Sequence, residues 1–279
     1  MTFQPLVFEV FGFEITGYGI MMMVGFLSGG WAMHRELERR GLNTEYAWDI
    51  VVAAVIGGVL GAKLWYVALH GPQALFRREG LVWYGGFIGG FLAVTAHGWW
   101  KGVPFRFSLD LTAPALAIGY AMGRVGCFLV QDDYGVPTDL PWGFTFPNGL
   151  PPSTAANLER MGVDLPAGTP PNQVFAVHPT QLYEVLAMTL VFWLLWRLRN
   201  HRHALGWLFG VYLTLAATER FLVEFLRAKD DRLLGMFTVA QATSVALVLI
   251  GVGMMVRWWR KDDLEVRPEG ALKPAAKPG

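Results

Sequence analysis

Long apolar runs separated by short polar connections dominate the pattern of this chain. Seven are long enough to cross a bilayer, since about 20 residues rising 1.5 Å each match a hydrocarbon core of about 30 Å. They predict helices over Ile15 to Met33, Ile50 to Leu69, Leu81 to Trp100, Leu111 to Val130, Pro179 to Trp196, Gly206 to Leu226 and Leu233 to Val256. Glu184 interrupts the fifth run near its start. The Pro- and Gly-rich connection 131–177 predicts a cap with little regular structure, and the stretch after Asp263 reads as disordered. The expected fold is an all-α integral membrane protein, with seven transmembrane helices and the cap within residues 1–262 and a tail over 263–279. The sequence shows neither a repeat of fixed period nor the inverted pair of broken helices that marks many transporters.

Composition fits lipid as the solvent: 53% of the 279 residues are hydrophobic and 16% charged, with 33 Gly and 12 Trp. A net charge of +1 argues against a nucleic-acid partner. The single cysteine, Cys127, rules out an intramolecular disulfide, and neither a metal nor a cofactor is expected from the scattered histidines. The first positive side chain is Arg35, so the basic leader of a cleaved signal peptide is not seen and the N-terminus is expected to remain. Connections after odd-numbered spans, with the tail, hold fourteen Lys and Arg residues, whereas the opposite side holds six: Arg77, Arg78, Arg160, Arg227, Lys229 and Arg232. This asymmetry predicts an external (periplasmic) N-terminus and cap and a cytoplasmic C-terminus.

Ionisable side chains at membrane depth cost at least about 2.5 kcal/mol each, so each needs a partner or a task. In the predicted orientation Lys63, Arg124, Arg220 and Glu224 lie past the midpoints of outward-running spans. Tyr18, Tyr84, His178, Gln181, Tyr183 and Glu184 lie at the outer ends of inward-running ones. Six spans thus deliver polar groups to one level, predicting a polar cavity in the outer half of the membrane. Arg220, Glu224 and Arg227, spaced i, i+4, i+7, share one helix face, with Glu219 expected to point elsewhere. They read either as a self-contained ion-pair ladder or, with Arg124, as guanidinium groups for an anionic headgroup. The pairs Gly57/Gly61, Gly85/Gly89, Gly86/Gly90 and Gly119/Gly123 suit close helix packing. Gly85 and Gly86, beside Tyr84, are also candidates for backbone N–H contacts to a ligand.

Five segments carry a resemblance: Gly17-Tyr18-Gly19-Ile20-Met21, Tyr84-Gly85-Gly86-Phe87-Ile88-Gly89, Gly123-Arg124-Val125-Gly126-Cys127-Phe128 through Gly135, His178-Pro179-Thr180-Gln181-Leu182-Tyr183-Glu184, and Arg220-Phe221-Leu222-Val223-Glu224-Phe225-Leu226-Arg227. In this order and spacing they resemble the bacterial prolipoprotein diacylglyceryl transferases over nearly the whole chain. The resemblance implies a multi-pass enzyme of the bacterial cytoplasmic (inner) membrane. Its partners would be phosphatidylglycerol, the lipobox signal peptides of exported prolipoproteins and other membrane lipids. Diacylglycerol would pass from the phospholipid to the lipobox cysteine thiol, releasing glycerol phosphate.

On this resemblance Arg124 and Arg220 would hold the phosphate and Glu224 would orient Arg220, while Tyr18 and Gly135 occupy matching motif positions. The chain departs from the family pattern in having Tyr84 for His, Cys127 for Asn, Asp132 for Glu and Lys63 for Arg. An unperturbed tyrosine titrates near 10 and is a poor base at neutral pH, which leaves the proton acceptor open among Tyr84, Asp132, His178 and Glu184. Cys127 reads as a packing residue or as a nucleophile next to Arg124. His178 reads as catalytic or structural, with Thr180 a candidate cap of the fifth helix. These departures keep two other functions in view: a divergent paralogue with another lipid donor or acceptor, and a lipid-binding or transport protein without the chemistry.

Overall fold

The computed structural model describes residues 1–76, 80–229, 232–233, 237–260 and 272–273. Arg77 and Arg78, counted in the charge asymmetry, and most of the predicted tail lie outside the described residues. The helices are α1 (Gly17–Arg39), α2 (Glu45–His70), α3 (Trp83–Trp100), α4 (Phe105–Val130), a short α5 (Ala155–Arg160), α6 (Thr180–Leu198), α7 (Trp207–Val223) and α8 (Val239–Arg257). Each of the seven predicted apolar runs overlaps one of the long helices. By length and composition α2, α4, α6 and α8 are apolar enough to cross a membrane. Leu60, Leu64, Phe87, Leu92, Leu190 and Leu249 all point outward and are exposed. An apolar exterior of this extent suits hydrocarbon, whereas in water it would drive aggregation.

Helix ends depart from the predicted runs where local polar chemistry overrides hydropathy. Ile15 and Thr16 belong to a hairpin, β1 (Val7–Val10) with β2 (Phe13–Thr16), and α1 starts where Thr16 Oγ1 accepts from the Gly19 N–H at 3.1 Å. At its other end α1 continues past Met33 because Glu36 pairs with Arg39 at 2.6 Å and Arg40 at 2.5 Å, holding the last turns together. The seventh run opens as strand rather than helix, with β5 (Arg232–Leu233) paired to β6 (Phe237–Thr238). A capping box between Thr238 and Gln241 then fixes the start of α8. The sixth run leaves α-helix at Val223, tightens into a 3-10 turn over Glu224–Leu226 and is extended at Arg227.

In the bundle, α4 is central, packing on α1, α6 and α7, while α2 and α3 pack chiefly on one another. The α2–α3 contact is glycine against glycine: a Cβ on Gly61 would meet the Gly85 carbonyl, and one on Gly57 the Gly89 carbonyl. The expected packing role of these glycines follows, because only hydrogen side chains let two backbones approach so closely.

The 131–177 connection folds over one end of the bundle. It carries α5 and a two-stranded pair, β3 (Phe144–Thr145) with β4 (Ala176–Val177). Phe3, Phe128, Phe144, Phe146 and Tyr134 form an aromatic core beneath it. Buried Ser153 accepts from the Phe146 N–H and donates to the Phe175 carbonyl, so this cap has more internal order than its loop-like composition predicts. Buried Gln131 ties it to the N-terminal segment by donating to the Phe3 carbonyl at 2.6 Å.

Candidate active site

Tyr120, Arg124 and Cys127 follow one another at i, i+4 and i+7 on α4 and therefore share a face. The helix ends at Gln131 in the left-handed region (φ 63°), and Asp133 is left-handed too (φ 56°). This double reversal folds the chain back over the helix end and places Asp133 Oδ2 2.8 Å from Arg124 Nη1. Asp133 Oδ1 lies 2.7 Å from Arg227 Nη2. On the opposite side of Arg124, Glu184 in the second turn of α6 puts Oε2 2.9 Å from Nε, and its Oε1 accepts from the Tyr120 hydroxyl at 2.9 Å. Glu224 completes the set, 3.9 Å from Arg227 Nε and 2.5 Å from Arg220 Nη2.

The result is a continuous alternation of charge: Glu184, Arg124, Asp133, Arg227, Glu224, Arg220. Three carboxylates and three guanidinium groups sum to zero, which is how so many ions tolerate burial at one level. The short ladder expected on the sixth span is the last half of this longer one. At its end Arg220 Nη1 is buried and has no hydrogen-bond acceptor among the described residues.

The cap closes one side of the ladder. Gly135 N–H donates to the His178 carbonyl and the Val136 N–H to the Leu226 carbonyl, so the cap strand runs between the entry to α6 and the exit from α7. Gly135 has no room for a side chain, since a Cβ would meet the Leu226 carbonyl, Thr180 Cγ2 and His178 Cβ. Thr180 does not cap α6: Pro179 is the N-cap residue, and the Thr180 hydroxyl donates to the Asp133 carbonyl at 2.9 Å, helping to hold the reversed loop. The side-chain amide of buried Gln181 donates to the Asp132 carbonyl. Trp142 Nε1–H donates to the Tyr183 hydroxyl at 2.8 Å, and that hydroxyl shares a hydrogen bond with His178 Nδ1 at 3.2 Å. Burial pulls the His178 imidazole below its ordinary value, so it is neutral at pH 7.

Asp132, next to the ladder, is within hydrogen-bond reach of the Cys127 thiol and has a buried Oδ1 without a partner among the described residues. Burial, then the neighbouring Asp133 charge, push its carboxyl up to about 6. Asp133 behaves oppositely: burial opposes its ionisation, but Arg227 and Arg124 outweigh that and hold it below the usual carboxylate range. Cys127 Sγ is 3.5 Å from Arg124 Nη1. Tyr18 of α1 packs over Gly126, close enough to interact electrostatically with Cys127, Asp132, Arg124 and Asp133. Cys127, Asp132 and Asp133 offer ligand atoms within 4.8 Å of one another. Both Asp133 oxygens already face guanidinium groups, which leaves little negative charge there for a cation.

The other predicted residues lie on the α2–α3 pair. The Lys63 ammonium sits 5.5 Å over the Tyr66 ring. Tyr84 is 61% exposed and packs edge-on against Trp83. Gly85 is buried against Gly61 and Trp65, and the Gly86 N–H donates to the Val82 carbonyl at 3.1 Å.

Sequence spacing missed three members of the cluster. Asp133 had no assigned part although it directly follows Asp132, and Tyr120 lies one turn before Arg124. Glu219 makes no ion pair with the ladder among the described residues, but it is buried and close enough to interact electrostatically with Glu184, Arg124, Arg220 and Arg227. Its neighbour Arg220 joins the ladder and keeps its side chain 24% exposed, whereas Glu219 is buried on a helix that α4, α6 and α8 all pack against.

The family model for prolipoprotein diacylglyceryl transferase matches residues 5–257. The chain belongs to this family. A phosphatidylglycerol–prolipoprotein diacylglyceryl transferase of Clostridium tetani is 31% identical to it, over 89% of this chain and 95% of the relative. One from Vibrio atlanticus is 34% identical over 94% of both chains, and one from Stenotrophomonas maltophilia 32% identical over 91% of both. The transferase match covers the whole ladder and the cap that lies over it.

Proposed function

We propose that this chain transfers the diacylglyceryl group of phosphatidylglycerol to the thiol of a lipobox cysteine in an exported prolipoprotein, releasing glycerol phosphate. Besides membership of the transferase family, one observation carries the reading: the neutral ladder ends in Arg220, whose buried Nη1 lacks an acceptor among the described residues. A phosphate oxygen completes that alternation of charge. The seven long helices cross the bacterial inner membrane, with the cap on the periplasmic side and the C-terminus in the cytoplasm. The ladder then lies at the level where an outer-leaflet phosphate and an exported peptide can meet.

Displacement at the glycerol carbon needs a thiolate to attack and a phosphate charge to be stabilised as the C–O bond breaks. Arg220 and Arg124 hold the phosphate, with Glu224 fixing the first guanidinium and Glu184 the second. Asp132 takes the thiol proton, because a carboxyl titrating near 6 is largely ionised at neutral pH and still basic enough to accept. Tyr18, Gln181, Arg227 and the Trp142–Tyr183–His178 set order the loop and headgroup around these groups. Lys63, Tyr84, Gly85 and Gly86 form the neighbouring wall on α2 and α3, where a lipid would enter.

Purified protein mixed with phosphatidylglycerol and a lipobox peptide should yield a diacylglyceryl thioether detectable by mass spectrometry. No product, beside a competent relative run in parallel, removes the proposal. A second reading, transfer from a different lipid donor, is favoured by Cys127, a thiol contacting Arg124 where the family pattern has an amide. Replacing phosphatidylglycerol with other phospholipids in the same assay separates the two.

A further inference from the structure

Glu219 is the charge that the ladder does not use. It lies on α7, is only 8% exposed, and its Oε1 is enclosed without a hydrogen-bond partner among the described residues. The titratable groups close enough to interact electrostatically with it are Tyr120 and Arg124 from α4, Glu184 from α6, Tyr212 and Arg220 from its own helix, and Arg227 beyond it. The helix α8, which packs on α7, carries no ionisable residue before Arg257, and its buried polar side chains are Gln241 and Ser244.

The three arginines among these neighbours are already matched by Glu184, Asp133 and Glu224. An ionised Glu219 therefore makes the enclosed set net negative before any ligand arrives. A phosphodiester anion docking on Arg220 would add a further uncompensated negative charge close to it, beyond that of Asp132 when ionised. Two such charges repel strongly, and the cheapest relief is to neutralise the one that lacks a partner.

We propose that Glu219 is protonated when the site holds an anionic phospholipid headgroup, so that headgroup binding takes up one proton. The statement rests on the phosphate-binding reading of Arg220 given above. No bond of the lipid changes in this step: one proton leaves a solvent donor and forms an O–H bond on the Glu219 carboxylate as the lipid docks, and returns to solvent when the anionic product leaves. Glu219 is thus a positioning residue that sets the charge of the site, with affinity for an anion falling as pH rises.

Calorimetric titration of the full chain, in phosphatidylcholine nanodiscs, with short-chain phosphatidylglycerol tests this. Measured between pH 6 and 9 in buffers of different ionisation enthalpy, the wild-type protein should take up close to one proton per lipid over part of the range. There its affinity should fall by up to tenfold per pH unit. Glu219→Gln should bind with an affinity flat over that interval and without proton uptake. Zero uptake by the wild-type protein across the range overturns the proposal whether or not the variant folds. Uptake that survives in Glu219→Gln and vanishes in Asp132→Asn assigns the proton to Asp132 and overturns it equally. A wild-type protein that binds no phosphatidylglycerol at any pH sinks the phosphate reading itself, whereas thioether formation without proton uptake sinks only the role given to Glu219.

Discussion

Arg220 and Glu224, one helical turn apart, form a 2.5 Å ion pair that occupies Nη2 of the arginine and leaves its buried Nη1 without an acceptor among the described residues. The pair holds the guanidinium by one nitrogen, and in the proposed function the other is the donor for the phosphate. Arg220→Lys keeps the charge but loses the fork, so transfer should fall by about 10²–10³, the usual effect of removing one donor to a developing anion. Glu224→Gln, which only loosens Arg220, should lose less. Initial rates of thioether formation by mass spectrometry check both, and an Arg220→Lys variant at wild-type rate would show that a point charge suffices.

Asp133 joins the two halves of the ladder, so Asp133→Asn should uncouple Arg124 from Arg227. Its side chain is 41% exposed, which reduces the cost from the ~3–5 kcal/mol of a sealed pair to about 1–2 kcal/mol. The pH dependence has a definite sign. The folded-state value is depressed, so the stabilisation is fully present above the unfolded value of about 3.9 and is lost as pH falls through the folded one. Thermal melts from pH 3 to 7 should show the difference between wild type and Asp133→Asn shrinking on acidification.

Burial and the Asp133 charge hold the Asp132 carboxyl up at about 6, and in its proposed role as acceptor of the thiol proton it must be ionised to work. Wild-type kcat/KM should rise with pH up to about 6 and then level, and Asp132→Asn should lose that limb together with most of the rate. The stability effect has the opposite sign to that of Asp133. A raised folded value favours the fold below the unfolded value of about 3.9 and loses that contribution as pH climbs through 6. An acidic limb that persists unchanged in Asp132→Asn would assign the proton to another group.

Gly135→Ala tests the fit of the cap to the helix ends. The new methyl meets a backbone carbonyl and two side chains from segments held by hydrogen bonds, so the strand must shift. Overpacking of this kind costs about 1–3 kcal/mol, and displacement of the cap should lower transfer by more than about ten-fold. Gly61→Ala, which pushes α2 from α3 away from the ladder, should lower the melting temperature with a smaller effect on rate.

Hydrophobic runs were sufficient to place seven long helices, because those runs are fixed by neighbours in the chain; the one cap read from sequence, Thr180, does not cap its helix. The same locality made the Arg220–Glu224 pair readable, and the motifs carried the family. Helix ends were less legible at Thr16 and Thr238, where hairpins occupy apolar residues that hydropathy alone counts as span.

The tertiary structure alone decided which charges meet. Asp133 pairs with an arginine nine residues before it and another ninety-four after it, through a left-handed turn that no periodicity announces. Glu219 and Arg220 are adjacent, and helical spacing sends them to different faces. Glu219 is nevertheless buried because three helices cover α7, and how many neighbours cover a helix is a property of the whole bundle.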